Sequence, residues 1–366
     1  MKKLLKYLIP LFVITSIVLG IYYYSVNSRN TVEHLLSQKK MINIMIAGSN
    51  NYKKHRHSFF AIFTLNPDNN NCGITFIPPS YRIYTDDNKI IRLDKADFKD
   101  FEIIRKSIKK DLNINVPYYI ALYPSDIKKT VDLIEGVDLF ILDQFKDYKT
   151  FTFGLQYFDG AKLVKYINEV EGNSIYLKYD RILDVMLTLY DNKDSVVKFL
   201  NKNFAKELFK SIITNVTTEE MLTLGSLVLK KNNTFYSITL PGGFKNGYYL
   251  TDELTLKSYD SDYLKPLIMN IAPGGGAVKV KVLNGTTIAK KAKQLRNELI
   301  REGFNVVEFG TSQFPKMKQS IIINRKGLMS GVEKLKTFTG IQKVYHVIDN
   351  TQMYDVLIII GEDRVH

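Results

Sequence analysis

Residues 41–82, MINIMIAGSNNYKKHRHSFFAIFTLNPDNNNCGITFIPPSYR, restrict the fold more than any other stretch of this chain. Three apolar runs follow one another. The first, 42–47, is broken by Gly48; the second, 58–65, is closed by Asn66-Pro67-Asp68; the third, 73–77, is closed by Pro78-Pro79. Short apolar runs bounded by Gly, Pro and Asn read as strands buried on both faces. In a mixed α/β domain, ligands gather at the carboxyl ends of such strands. Here those ends are 49–58, with Lys53, Lys54, His55, Arg56 and His57, and 78–84, with Arg82.

A chain of 366 residues has room for two domains and a tail. After the three runs, Phe98, Phe101, Ile104, Ile108 and Leu112 predict an amphipathic helix within 89–113. Residues 116–123 read as a strand. Ser125 then reads as the N-cap of a helix over 126–134 that Gly136 closes. Residues 137–142 read as a strand and 154–159 as a loop. Helices are expected over 161–170, 180–189, 193–213 and 217–229, and a late hairpin from 236–240 and 247–250. Strands alternating with helices predict an α/β sandwich. Ala272-Pro273-Gly274-Gly275-Gly276 marks a linker. Beyond it, strands at 278–283, 306–309, 320–323, 344–347 and 356–360 and helices at 288–302 and 331–339 suggest a small α+β domain of roughly βαββαβ order.

At the other end, Lys2, Lys3 and Lys6 precede an uncharged segment of 18 residues, 7–24. With Leu4 and Leu5 it is long enough to cross a hydrocarbon core of ~30 Å. The lysines on its N-terminal side put the N-terminus in the cytoplasm and the chain after Asn27 outside. No small-x-small cleavage site follows the run and no lipoprotein cysteine is present, so the expected element is an uncleaved single-pass anchor. The expected division is 1–27 cytoplasmic stub and anchor, 28–40 linker, 41–270 large domain, 271–277 linker and 278–363 small domain.

The net charge of +14 is compatible with an anionic polymer or lipid surface. Nucleic acid is not an expected partner: export of the chain and the lack of any aromatic-interleaved basic motif argue against it. One cysteine, Cys72, excludes an internal disulfide framework and a cysteine-based zinc cluster. It reads as a small packed residue and not as a thiol nucleophile. His55 and His57 alternate at one strand end without a third ligand beside them, and no metal site is assigned. Asp180 and Asp184, four apart on a helix, read as a solvated face.

The order of elements and several words within them resemble the LytR-CpsA-Psr (LCP) family of bacterial envelope proteins. The words are MINIMIAGS, FFAIFTLNP, GITFIPPSY, NVPYYIALYPSDIKKTVDLIEGVDLFI, GLQYFDGAKLVKYI, YDRILDVML and SITLPGGFKNGYYLTDE. After the linker, VKVLNGTTIAKKAKQLRNELIREGFNVV and YDVLIIIGED resemble the LytR C-terminal domain that follows in some members. The resemblance implies a membrane helix, an outward α/β/α mixed-sheet domain and a small α+β domain. It implies phosphotransfer of a glycopolymer from a polyprenyl-pyrophosphate carrier to peptidoglycan. In that reaction arginines hold the pyrophosphate and aspartates hold Mg²⁺, as guanidinium forks and carboxylates suit those tasks.

Carried over residue by residue, the family's charged positions are mostly replaced. The Arg-Ser-Asp-Thr word falls on Arg56-His57-Ser58-Phe59, which keeps the arginine and loses the aspartate. Pro-Arg-Asp-Thr falls on Pro78-Pro79-Ser80-Tyr81, a two-arginine word on Asn168 and Val170, and a later word on Arg181, Asp184 and Val185. Arg56 and Arg181 are therefore the candidate pyrophosphate contacts, with Arg82, Lys53, Lys54 and Lys178 as candidate substitutes. Solvated or salt-bridged surface arginines are the competing reading. The expected role is an extracytoplasmic, membrane-anchored protein of cell-envelope biogenesis. It binds carrier-linked or wall glycopolymer without the full catalytic machinery. The alternative is an active, divergent phosphotransferase, and only that alternative requires Mg²⁺. Membrane lipid, glycopolymer carrier and peptidoglycan are the expected partners. A transcriptional role, suggested by the family's historical name, conflicts with an outward topology.

Overall fold

The computed structural model describes residues 31–49, 57–97, 100–142, 151–199, 201–230, 233–269, 278–314 and 316–364. The expected anchor at 7–24, the Gly-rich 272–276 and the candidates Lys53, Lys54, His55 and Arg56 lie outside the described residues. No described helix is long and apolar enough to cross a membrane.

Helix α1 (Thr31–Ser37) leads into β1 (Ile42–Gly48), β2 (Phe59–Asn66) and β3 (Asn71–Phe76), the three runs that opened the sequence. A hairpin of β4 (Arg82–Tyr84) and β5 (Ile90–Arg92) comes before α2 (Phe101–Leu112). Then come β6 (Tyr118–Leu122), α3 (Pro124–Leu133), a hairpin of β7 (Val137–Ile141) and β8 (Gly154–Phe158), α4 (Gly160–Asn168) and α5 (Ile175–Asp191). The chain continues through α6 (Lys193–Val196), α7 (Lys202–Phe209), β9 (Ile213–Thr214), α8 (Thr218–Lys230) and β10 (Thr234–Thr239). A hairpin of β11 (Gly243–Lys245) and β12 (Tyr248–Leu250), then α9 (Glu253–Tyr259) and α10 (Lys265–Met269), complete the large unit.

Its central sheet has the order β10-β3-β2-β1-β6-β9. β2 lies between β1 and β3 and runs antiparallel to both, β6 runs parallel to β1, and β10 runs parallel to β3. Side chains of a strand alternate between faces, and each face has its own cover. Met45, Ala47, Phe60 and Ile62 pack with Ile104 and Ile108 of α2 and Leu267 of α10. Ile42, Ile44, Ala61, Ile74 and Phe76 pack with Tyr179, Leu183 and Leu187 of α5 and Leu224 of α8. The mixed α/β layering is the one the alternating pattern predicts.

The small unit contains β13 (Lys279–Asn284), α11 (Lys291–Arg301), β14 (Asn305–Thr311), β15 (Ile321–Asn324), α12 (Met329–Thr339), β16 (Val344–His346) and β17 (Val356–Ile360). Its sheet order is β14-β13-β17-β15-β16, one strand more than the split βαββαβ pattern. One face, with Val280, Val282, Ile322 and Ile358, packs under Leu295, Leu299, Val332 and Leu335. The other face, with Ile321, Ile323, Leu357 and Ile359, packs with Phe140 and Leu142 of the large unit.

Several expected elements differ. The helix within 89–113 begins only at Phe101, because 90–92 are paired with β4. The expected loop 154–159 is β8, antiparallel to β7 over its whole length. Tyr123, not Ser125, caps α3, and the Asp126 carboxylate accepts the Tyr123 backbone N–H at 2.7 Å. Residues 236–240 leave the late hairpin and join the central sheet beside β3, because β3 offers an open parallel edge. The helix read at 193–213 is two short helices and an edge strand.

Candidate functional site

Because β2 runs against its neighbours, β1, β3, β6 and β10 all point to one end of the sheet. At that end, α3, α4 and α5 stand away from the strands and leave a cavity of about 320 Å³. Its walls are apolar: Ile46 and Ala61 from the sheet, Ile127 and Val131 from α3, Leu163 and Ile167 from α4, and Ile182 and Met186 from α5. A cavity lined by such side chains offers water no partners. It sits at the low end of the ~300–1,000 Å³ of small-ligand sites.

The polar groups of this cavity are few: Ser49, Ser58, Thr130, Asn168 and Lys178. Lys178, on the first turn of α5, is half-buried, and burial holds its ammonium below the usual lysine range. A partly desolvated cation gains most from an anion brought to it. Ser58 and Asn168 are two positions at which the family word has a charged residue, Val185 is one at which it has a glutamine, and all three line this cavity. Ser58 and Asn168 bring neutral groups to this apolar volume where the family places charges, and Val185 brings an alkyl group in place of an amide.

Arg181 does not line it. Its guanidinium is 2% exposed, lies 4.6 Å from the centre of the Tyr166 ring, and donates from Nη1 to the Glu169 carbonyl at 3.0 Å and to the Tyr166 carbonyl. It thereby satisfies carbonyls at the C-terminal end of α4, which have no partner within the helix. Arg82 is also elsewhere. It lies 3.8 Å from Asp111 and over the Tyr84 ring on the β4–β5 hairpin. Of the described candidates, the fold brings only Lys178 to the cavity.

Three further readings are settled by burial. The Cys72 side chain is wholly buried and its thiol is pushed up to about 12, so it is no thiolate. His57 is buried against the rings of Phe60 and Tyr123. Asp180 and Asp184, expected on a solvated face, are buried instead. The small unit docks there: Asp184 accepts the Ile348 N–H at 2.5 Å and the Tyr166 hydroxyl at 2.7 Å, and Asp180 accepts the Asn350 amide at 2.7 Å. Sequence spacing carries no information about a second domain arriving on a helix face.

A magnesium ion of the family type does not fit these residues. Ser58 and Ser80 stand where carboxylates are expected and bring no anionic oxygen. Among the described residues no three His, Cys, Asp or Glu side chains gather as a metal site. The cavity itself escaped the sequence reading, because an apolar wall facing a cavity has the same periodicity as one facing a core.

A model described as the LytR_cpsA_psr family matches residues 20–262, and one described as LytR cell envelope-related transcriptional attenuator matches 277–363. Among solved structures, TagV from B. subtilis is similar at 17% identity and a TM-score of 0.50, covering 63% of this chain and 98% of that one. TagT bound to LI-WTA is similar at 14% identity and a TM-score of 0.51, covering 63% and 92%. No curated protein matches in sequence. With the family model spanning well over half of its length, the chain belongs to the LytR-CpsA-Psr family.

Proposed function

We propose that this protein is an extracytoplasmic, membrane-anchored member of the family that holds carrier-linked glycopolymer in cell-envelope biogenesis, without the full catalytic machinery. The observation that carries the reading is the cavity between the sheet and α3–α5, lined mostly by apolar side chains and with Lys178 among its few polar groups. A polyprenyl pyrophosphate has the matching shape of charge: a long apolar chain ending in an anion. The chain would occupy the volume lined by Ile127, Leu163, Ile167 and Met186, and the first phosphate would meet Lys178. A relative of this fold has been solved as TagT bound to LI-WTA, which supports a glycopolymer partner. The segment 7–24 would fix the protein to the membrane that supplies the lipid.

Neutral Ser58 and Ser80 leave no anionic ligand at the family's metal positions, and Pro79, Asn168 and Val170 remove guanidinium groups from the positions that hold a diphosphate in the family. The expected behaviour is therefore binding without turnover. The test is a polyprenyl pyrophosphate presented to the full-length chain in detergent, with binding and phosphate release followed together. Lys178→Ala should weaken binding about tenfold, as the loss of one charge-assisted contact does. Val185→Trp, which fills the cavity, should abolish it. Phosphate release that needs Mg²⁺ and disappears in Arg56→Ala would establish the divergent phosphotransferase instead. Binding unchanged in both cavity variants would remove the cavity from the account.

A further inference from the structure

Helix α5 has two working sides. Lys178, Ile182, Val185, Met186 and Leu189 face the apolar cavity. Tyr176, Asp180 and Leu183 lie roughly opposite, as 100° per residue requires, and face a second, larger cleft of about 660 Å³. The two units of the chain build this cleft together. The large unit supplies α5 and the outer strand β10, with Ser237 and Thr239; the small unit supplies Asn350 and Thr351.

The chemistry of the cleft is unlike that of the rest of the surface. The chain carries 51 Lys and Arg, yet among the described residues none lines it. Phe76, Tyr179 and Leu183 are buried apolar residues at its floor. Around them stand the hydroxyls of Ser237, Thr239, Thr351 and Tyr176, an amide, and one carboxylate. Hydroxyls and amides both donate and accept. The carboxylate, Asp180, is held in place by the Asn350 amide at 2.7 Å. The Tyr176 ring is 47% exposed and is held edge-on to Tyr179, 6.2 Å away, which presents it to the cleft.

We infer that this cleft binds a neutral saccharide. A pyranose has apolar C–H faces and a hydroxyl edge that both gives and takes hydrogen bonds. Tyr176 suits the first, and the mixed donors and acceptors of Ser237, Thr239, Asn350 and Thr351 suit the second. A polyanion is opposed by Asp180; no described lysine or arginine lines the cleft, and Lys326 beside it is engaged with the Asn350 carbonyl at 2.7 Å. An extended peptide added along β10 needs apolar pockets for alternate side chains; at alternate positions β10 offers the hydroxyls of Ser237 and Thr239. The site is complete only while the small unit is docked, which gives that unit a role in recognition. The inference is independent of the apolar cavity and of what fills it.

The experiment titrates full-length protein in detergent with chitotriose, maltotriose, a heparin fragment and an extended Val/Thr-rich peptide, by calorimetry and ligand-observed NMR. One or both neutral trisaccharides should bind. Tyr176→Ala, at an exposed position, should weaken them about tenfold, the order of a lost ring contact with its buried area. Thr239→Val should weaken them as well, while Lys178→Ala leaves them unchanged. Loss in Lys178→Ala alone would assign the sugar to the apolar cavity and overturn the inference. So would binding of only the peptide or the polyanion, or of none of the probes. Retained circular dichroism and melting temperature in Tyr176→Ala separate lost recognition from lost folding.

Discussion

At the scale of single residues, Asp184 shows how far environment can move a side chain from its sequence reading. It is wholly buried between α4, α5 and the loop after β16, and burial pushes its carboxyl from an ordinary 3.8 up to about 7. The Ile348 amide and the Tyr166 hydroxyl favour the charged form, as does Arg325; Asp180 opposes it. Desolvation wins. The Asp180 carboxyl moves in the same direction, again by burial. A folded-state pKa above that of the unfolded chain means the native protein holds the proton more tightly. This contribution is complete below about pH 4 and is lost as pH rises through 7, an effect of at most about 4 kcal/mol. The melting temperature should therefore fall between pH 5 and pH 8. Asp184→Asn, which can still accept the Ile348 N–H, should flatten that slope. A slope unchanged in the variant would show that Asp184 is not its source. Asp180 and Asp184 at i, i+4 were legible as a pair on one helix face; that the face is buried was not.

At the scale of elements, the walls of the apolar cavity depend on how closely α3 and α4 approach. They touch at Gly160, where an added Cβ would land on the Lys128 backbone carbonyl oxygen. The contact is with backbone, so it cannot be relieved by a side-chain rotation. Gly160→Ala should cost about 1–3 kcal/mol, the range of overpacking, and should spread α4 from α3. Chemical denaturation measures the cost. The same variant should weaken lipid binding, because Ile127 and Leu163 stand on the two helices that separate. A variant as stable as the parent would mean that the two helices slide apart freely. Element types were readable where apolar period and end signals agreed, as in α4, where the Asp159 carboxylate accepts the Lys162 N–H at 2.7 Å. They were misread at β8, where exposed Leu155 and Tyr157 alternate with partly buried Gln156, and Phe158 alone puts an apolar side chain inward.

At the scale of the whole molecule, the decisive feature is the docking of the small unit on α5 and the β7–β8 hairpin. Phe140 of β7 stacks on Tyr345 of β16 with centroids 4.5 Å apart, and His346 Nε2 lies 2.8 Å from the Asp191 carboxylate. Phe140→Ala should remove about 3–5 kcal/mol from this contact, the usual cost of emptying a buried phenylalanine site. The small unit keeps its own core of Val280, Val282, Leu299 and Val332, so it should stay folded while it loosens. Hydrogen exchange would then speed up at 344–349 and stay slow in β13 and β17. Equal protection in both proteins would mean that Phe140 does not hold the units together. The sequence by itself determined the parts: two α/β units in order, the three opening strands, the family and the loss of its charged residues at Ser58, Ser80 and Asn168. Those are local properties, written in the period of apolar residues and in short words. The tertiary structure alone decided that Arg181 serves helix carbonyls, that Lys178 is the described candidate at the cavity, and that Asp180 and Asp184 face a partner unit. Each of those outcomes depends on which surfaces meet, 12 and 15 positions apart for Arg181 and 164 and 170 apart for Asp184 and Asp180, and such meetings leave no periodic trace in the chain.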